Sequence, residues 1–213
     1  SDDANFAATM TTALSNRYTK AETDARYLQS IADGSIGTAK LADSAVTRAK
    51  VGESMIHLSS AQATQSGTYK DFLGIPSWAR RVTLLLYGVS TNGASDILVQ
   101  LGTGSTPLAS GYINCQSVFS WGGGIISATS SAGIPLYNNS ATYIWTGRVT
   151  MELLEPGLNN WIVNITANNT QTSPSSVVSS GLAPLTNSLG MVRLTTAAGT
   201  PAFDGGFASI SWE

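Results

Sequence analysis

The sequence predicts a mainly β protein: a C-terminal antiparallel β-sandwich, jelly-roll-like, preceded by an N-terminal stalk of short helical segments and repeats. Three observations carry this prediction. From residue 66 onward, short apolar or alternating runs recur between turn signals, with no long helical pattern. From 31 to 56 a large apolar side chain stands at every fifth position, namely Ile31, Ile36, Leu41, Val46, Val51 and Ile56. That spacing suits neither the 3.6 period of a helix nor the period of 2 of a strand. Finally, 42% of the 213 residues are hydrophobic, enough for a core, while 11% are charged and roughly a quarter are Ser or Thr. An ordinary domain carries about 25% charged residues, so the surface here is neutral and hydroxyl-rich.

Residues 1–30 hold two short helical patterns. In the second, Thr19 and Glu22 stand at capping-box spacing ahead of "AETDARYL", which predicts a helix over about 20–28. Helices this short are marginal alone and need something to pack on. Residues 31–65 form a repeat stalk and linker. "ADGSIGTAKL" aligns with "ADSAVTRAKV" without a gap, each unit a turn followed by one or two helical turns. One apolar residue in five gives a single chain no core, whereas identical chains around a common axis each contribute one residue to every layer. The alternative is a flexible linker that happens to repeat, against which stands the unbroken register of the apolar positions. "SSAQATQ", 59–65, reads as linker.

Residues 66–213 form the β domain. Candidate strands lie at 67–73, 80–89, 96–102, 111–119, 143–154, 160–167, 176–182, 189–196 and 206–212. Turn signals such as "STNGAS", "GTGSTP", "EPGLN" and "FDGG" separate them. In "NWIVNITA" the alternation puts Trp161, Val163 and Ile165 on one face.

Several of these stretches resemble those of a known family. "YTKAETDARYL" resembles segments of bacteriophage tail-fibre proteins, and "ADGSIGTAKLADSAVTRAKV" resembles their stalk repeats. "FLGIPSWARRVTLLLYGVSTNGASDILVQLG" and the terminal "FDGGFASISWE" are similar to the C-terminal domain of such fibres, while roughly 120–147 matches nothing in the family. The resemblance implies a homotrimeric fibre end with the pentad residues on the trimer axis, and three β domains that touch the host. It further implies a non-catalytic role in adsorption, binding a bacterial surface glycan, lipopolysaccharide or pilus. The implied location is the virion, after synthesis in the bacterial cytoplasm, with other tail proteins as neighbours through a preceding part of the fibre. The start on "SDDANF" without Met fits a fragment of a longer chain or a processed one.

Charge and cysteine content narrow the alternatives. With a net charge of −2 and no basic cluster beyond Arg80 and Arg81, neither nucleic acid nor an anionic membrane is an expected partner. The longest apolar run, "VTLLLYGV", is far short of the roughly 20 residues of a membrane-spanning helix. Cys115 is the single cysteine, so no intrachain disulfide is expected, and it reads as a small buried apolar residue.

No catalytic constellation stands out, and no cofactor is expected. His57, the only histidine, is at the end of the stalk, remote in sequence from the β domain's nucleophiles. Three copies on an axis could hold a metal or anion; the plainer reading is a capped or solvated junction residue. Of the β-domain carboxylates, Glu152 and Glu155 are expected on opposite faces of a strand, and Asp96 and Asp204 at turns. A tailspike-like polysaccharide depolymerase, needing a carboxylate pair, is one alternative reading. A purely structural segment of a head fibre or of a phage-derived bacteriocin is another.

Sugar binding needs aromatic faces for the apolar side of a ring and amides or hydroxyls for its edges. "FSWGGG" and "GIPLYNNSATYIWTG" offer both. Trp121, Tyr137, Asn138, Asn139, Tyr143 and Trp145 are therefore the expected receptor-facing set, with Trp121 beside three glycines as its leading member. Trp78, Trp161 and Trp212 are expected in the core.

Overall fold

The structure, a computed structural model, describes residues 2–15, 56–120, 124–155, 157–171 and 174–213. The chain divides into two units, Ser1–Ser54 and Met55–Glu213. In the first, helix α1 (Asp2–Ser15) realises the first helical pattern, with Phe6 and Met10 exposed. Thr11 and Thr12 donate back to the carbonyls of Ala7 and Ala8, at 2.8 and 2.9 Å, so both hydroxyls are satisfied within the helix. Among the described residues helix is confined to α1. The helix expected over 20–28 and the pentad residues Ile31, Ile36, Leu41, Val46 and Val51 lie outside the described residues.

The second unit is mainly β, with two antiparallel sheets packed as a sandwich. In chain order its strands are β1 (His57–Leu58), β2 (Gln62–Ala63), β3 (Tyr69–Leu73), β4 (Arg81–Thr91), β5 (Ile97–Thr103), β6 (Thr106–Pro107) and β7 (Ile113–Ser120). There follow β8 (Ile125–Ala128), β9 (Ile134–Leu136), β10 (Trp145–Glu155), β11 (Asn160–Asn169), β12 (Ser175–Pro184), β13 (Met191–Thr196) and β14 (Phe203–Trp212). The nine-stranded sheet runs β1-β14-β4-β10-β11-β12-β7-β8, with β2 also on β14; the five-stranded sheet runs β3-β13-β5-β6, with β9 also on β5. Strands β10, β11 and β12 follow one another as hairpins, and most other connections cross between the sheets.

Alternation builds the core. Trp161, Val163, Ile165 and Ala167 of β11 point inward, as do Trp145, Val149 and Met151 of β10, opposite Leu101 and Leu194 of the smaller sheet. Each large apolar side chain so buried contributes about 1.5–3 kcal/mol. Strand pairing also requires glycine where β4 and β14 bulge against each other. Gly88 and Gly206 have φ of 66° and 88°, and a Cβ on Gly206 would stand 2.4 Å from the Gly88 carbonyl.

Each candidate strand of the β domain is present. The short strands β1, β2, β6, β8 and β9 were not expected. The supposed linker 59–65 instead runs along β14: Gln62 and Ala63 pair with Ala208 and Phe207, and the buried Thr64 hydroxyl donates to the Gly205 carbonyl at 2.8 Å. Trp161 is core and Trp212 packs at its margin, but Trp78 is half exposed. Cys115 is exposed, because β7 turns Gln116 and Val118 inward and leaves Ile113, Cys115 and Phe119 on the outer face.

Strand direction gives the sandwich two ends. The chain arrives at Ile56–His57, and β1 pairs with Ser211 and Trp212 at the finish of β14. At this proximal end β4 and β11 begin and β10 and β12 finish. At the distal end β4 finishes at Thr91 opposite Phe203, Trp145 lies opposite Asn169, and Ser175 lies opposite Ser120.

Candidate functional site

Three connections meet at the distal end: 92–96 after β4, 137–144 before β10 and 197–202 before β14. Asn138 ties the first two together. Its backbone N–H donates to Asp96 Oδ1 at 2.9 Å, and its Nδ2 donates to Thr91 Oγ1 at 2.8 Å and to the Ser95 carbonyl at 3.2 Å. Its Oδ1 accepts the Trp145 indole N–H at 3.1 Å. The third connection joins through Ala198 N–H, which donates to Ser95 Oγ at 3.0 Å, and through Ala202 N–H, which donates to Asn92 Oδ1 at 2.9 Å. Asn169, itself buried, accepts from the Ile144 and Gln171 amides and so fixes the start of β10 against the end of β11.

On this frame Tyr137 and Tyr143 stand half-buried, their rings 6.4 Å apart, and Tyr143 meets the buried Trp145 edge-on at 5.8 Å. Asn139 beside them is exposed. Desolvation raises the pKa of Asp96, partly offset by the Asn138 N–H. Desolvation, then the neighbouring Tyr143 and Asp96, raises that of Tyr137, while its hydrogen bond with Asn139 opposes the shift. The result is a surface of phenol, amide and hydroxyl groups with the Asp96 carboxyl beside Tyr137.

Of the receptor-facing set, the structure thus brings Tyr137, Asn139 and Tyr143 together at the surface. It corrects two members. Trp145 is fully buried because it shares the inward parity of Val149 and Met151, and Asn138 is fully buried because its groups bond to Thr91, Ser95, Asp96 and the Trp145 indole. Both hold the loops and neither is open to a ligand. Trp121 lies outside the described residues. Asp96, Ser95 and Asn169 complete the frame; sequence reasoning treated Asp96 as a turn residue and passed over the other two, since bonds that close over long chain separations leave no local pattern.

At the proximal end His57 lies between Trp212, stacked at 6.0 Å, and Trp78, tilted at 5.4 Å. Ile56, the one pentad residue described, is 55% exposed there. Among the described residues no group of three His, Cys, Asp or Glu side chains is placed to hold a metal. Asp71 accepts a two-pronged bond from Arg193 at 2.6 and 2.7 Å, Arg81 bridges Glu152 and Glu213, and Asp204 accepts from Ser90. A bulge after Leu153 puts Glu155 opposite Asn160, so Glu152 and Glu155 share a face instead of opposing each other as strict alternation requires.

No family model matches the chain, and no curated protein or solved structure matches it either.

Proposed function

We propose that the chain is the receptor-contacting end of a homotrimeric bacteriophage tail fibre, which holds a bacterial surface glycan, lipopolysaccharide or pilus and performs no chemistry. The observation that carries this is directional. The preceding residues reach the sandwich at one end, and the connection bearing Tyr137, Asn139 and Tyr143 lies at the other. Such a layout suits a tip that is anchored behind and makes contact in front. In this reading the sandwich is jelly-roll-like, Ile31, Ile36, Leu41, Val46, Val51 and Ile56 lie on the trimer axis, and Trp121 joins the contact surface. Further support comes from the tail-fibre resemblance of the stalk and strand segments, and from carboxylates engaged by Arg81, Arg193 and Ser90. Three shallow sites on one stalk would hold a cell surface by avidity.

Light scattering on the whole chain, followed by labelling of a bacterial strain panel with the fluorescent protein, tests the reading. A trimer that labels some strains and spares others is expected. A monomer, or a protein that labels none, overturns it, and release of reducing ends from capsule or lipopolysaccharide would point to a depolymerase instead.

A further inference from the structure

We infer that the distal end carries a second contact, a subsite for a neutral sugar ring stacked on Phe119, in the groove at the ends of β7, β11 and β12. Its biological meaning rests on the receptor reading above. The groove is a shallow, open concavity of about 410 Å3. Asn168, Ser176 and Phe119 occupy one row across three neighbouring strands, spanning about 10 Å, the scale of one or two sugar rings.

The chemistry of the row matches that occupant. Phe119 is 52% exposed on a strand whose apolar face is turned outward, giving an open aromatic plate for the C–H face of a pyranose. Ser176 Oγ donates to Asn168 Oδ1 at 2.7 Å, which orients the amide and leaves its Nδ2 to donate to a sugar hydroxyl. In the adjoining row Ser175 shares the inward parity of Val177 and Ser179, so the contact rests on the outward row. None of the lining residues is charged, so an acidic sugar would bring a carboxylate with no cation to meet it.

Saturation-transfer NMR on the full chain tests this, with methyl α-D-glucopyranoside, methyl α-D-galactopyranoside and N-acetyl-D-glucosamine as neutral probes, and glucuronate and N-acetylneuraminate as acidic ones. Transfer to at least one neutral sugar is expected, at least tenfold weaker in Phe119→Ala and Asn168→Ala and retained in Phe119→Trp. No transfer to any neutral sugar, equal transfer in Phe119→Ala, or preference for the acidic probes overturns the subsite. So does a change in solution mass of Phe119→Ala, which would place this face in a contact between copies. The two readings fail separately: strain labelling by the native chain without transfer to any neutral sugar removes the subsite alone. Transfer to neutral sugars by a chain that labels no strain removes the adsorption reading alone.

Discussion

The Trp145 indole N–H donates to Asn138 Oδ1 at 3.1 Å, both side chains fully buried at the distal end of the sandwich. One amide thereby satisfies one of the core's two buried tryptophans and holds the connection that presents Tyr137 and Tyr143. Replacing Asn138 by Ala orphans the indole N–H and the bonded loop groups together, at a cost of about 3 kcal/mol. A fall in Tm of about 6–12 °C is expected, read by circular dichroism. An unchanged Tm would show that the amide contributes nothing to the frame.

Gln116 presents the opposite case. It is fully buried, and neither its Nε2 nor its Oε1 has a hydrogen-bond partner among the described residues. Gln116→Met keeps the length and removes the unsatisfied polar atoms, so a gain of about 1–2 kcal/mol is expected. The urea midpoint should rise; a fall would mean that the amide is satisfied in solution.

Asp96 gives a pH dependence with a definite sign. Its folded-state pKa is raised above the unfolded value, so between the two the folded chain binds more protons, and stability declines as pH rises through that window. Asp96→Asn keeps an oxygen to accept the Asn138 N–H and abolishes the titration. The variant should therefore gain on the native protein as pH rises from below the unfolded carboxyl pKa to neutrality, with the difference closing in acid. Parallel Tm–pH curves for the two proteins would refute this.

On the smaller sheet, Arg193 forks onto Asp71 and lies 4.3 Å from the Tyr69 ring centroid. Lys reproduces the charge and neither the fork nor the planar stacking. Because the ion pair is partly exposed, Arg193→Lys should cost only about 1 kcal/mol, measured by chemical denaturation.

Trp121→Ala should weaken strain labelling and leave the solution mass and Tm unchanged, whereas Trp145→Ala should lose about 3–5 kcal/mol of stability before binding can be judged. Equal labelling by Trp121→Ala would remove Trp121 from the contact surface.

The long strands were legible because their alternation is local: Trp161, Val163 and Ile165 announce β11 without reference to the rest of the chain. Gln62–Ala63 announces nothing, since two small or polar residues become a strand only through pairing with Phe207 and Ala208. The sequence did hold a signal against Trp145 as a contact residue. Counting back by twos from Met151 and Val149 reaches it on the inward face. No such signal existed for Asn138, whose burial depends on Thr91, Ser95 and Asp96 arriving from distant positions. On β7 hydropathy pointed the wrong way, because Gln116 is inside while Ile113 and Phe119 are outside.

The separation of the two ends has an evolutionary consequence. Strand β4 runs 11 residues, so about 35 Å of paired backbone lies between the His57 cluster and the distal loops. An insertion or exchange in 92–96, 137–144 or 197–202 need not shift a single cross-strand partner at the other end. Selection can therefore rewrite one extremity of the molecule while the opposite extremity stays under a different and unrelated constraint.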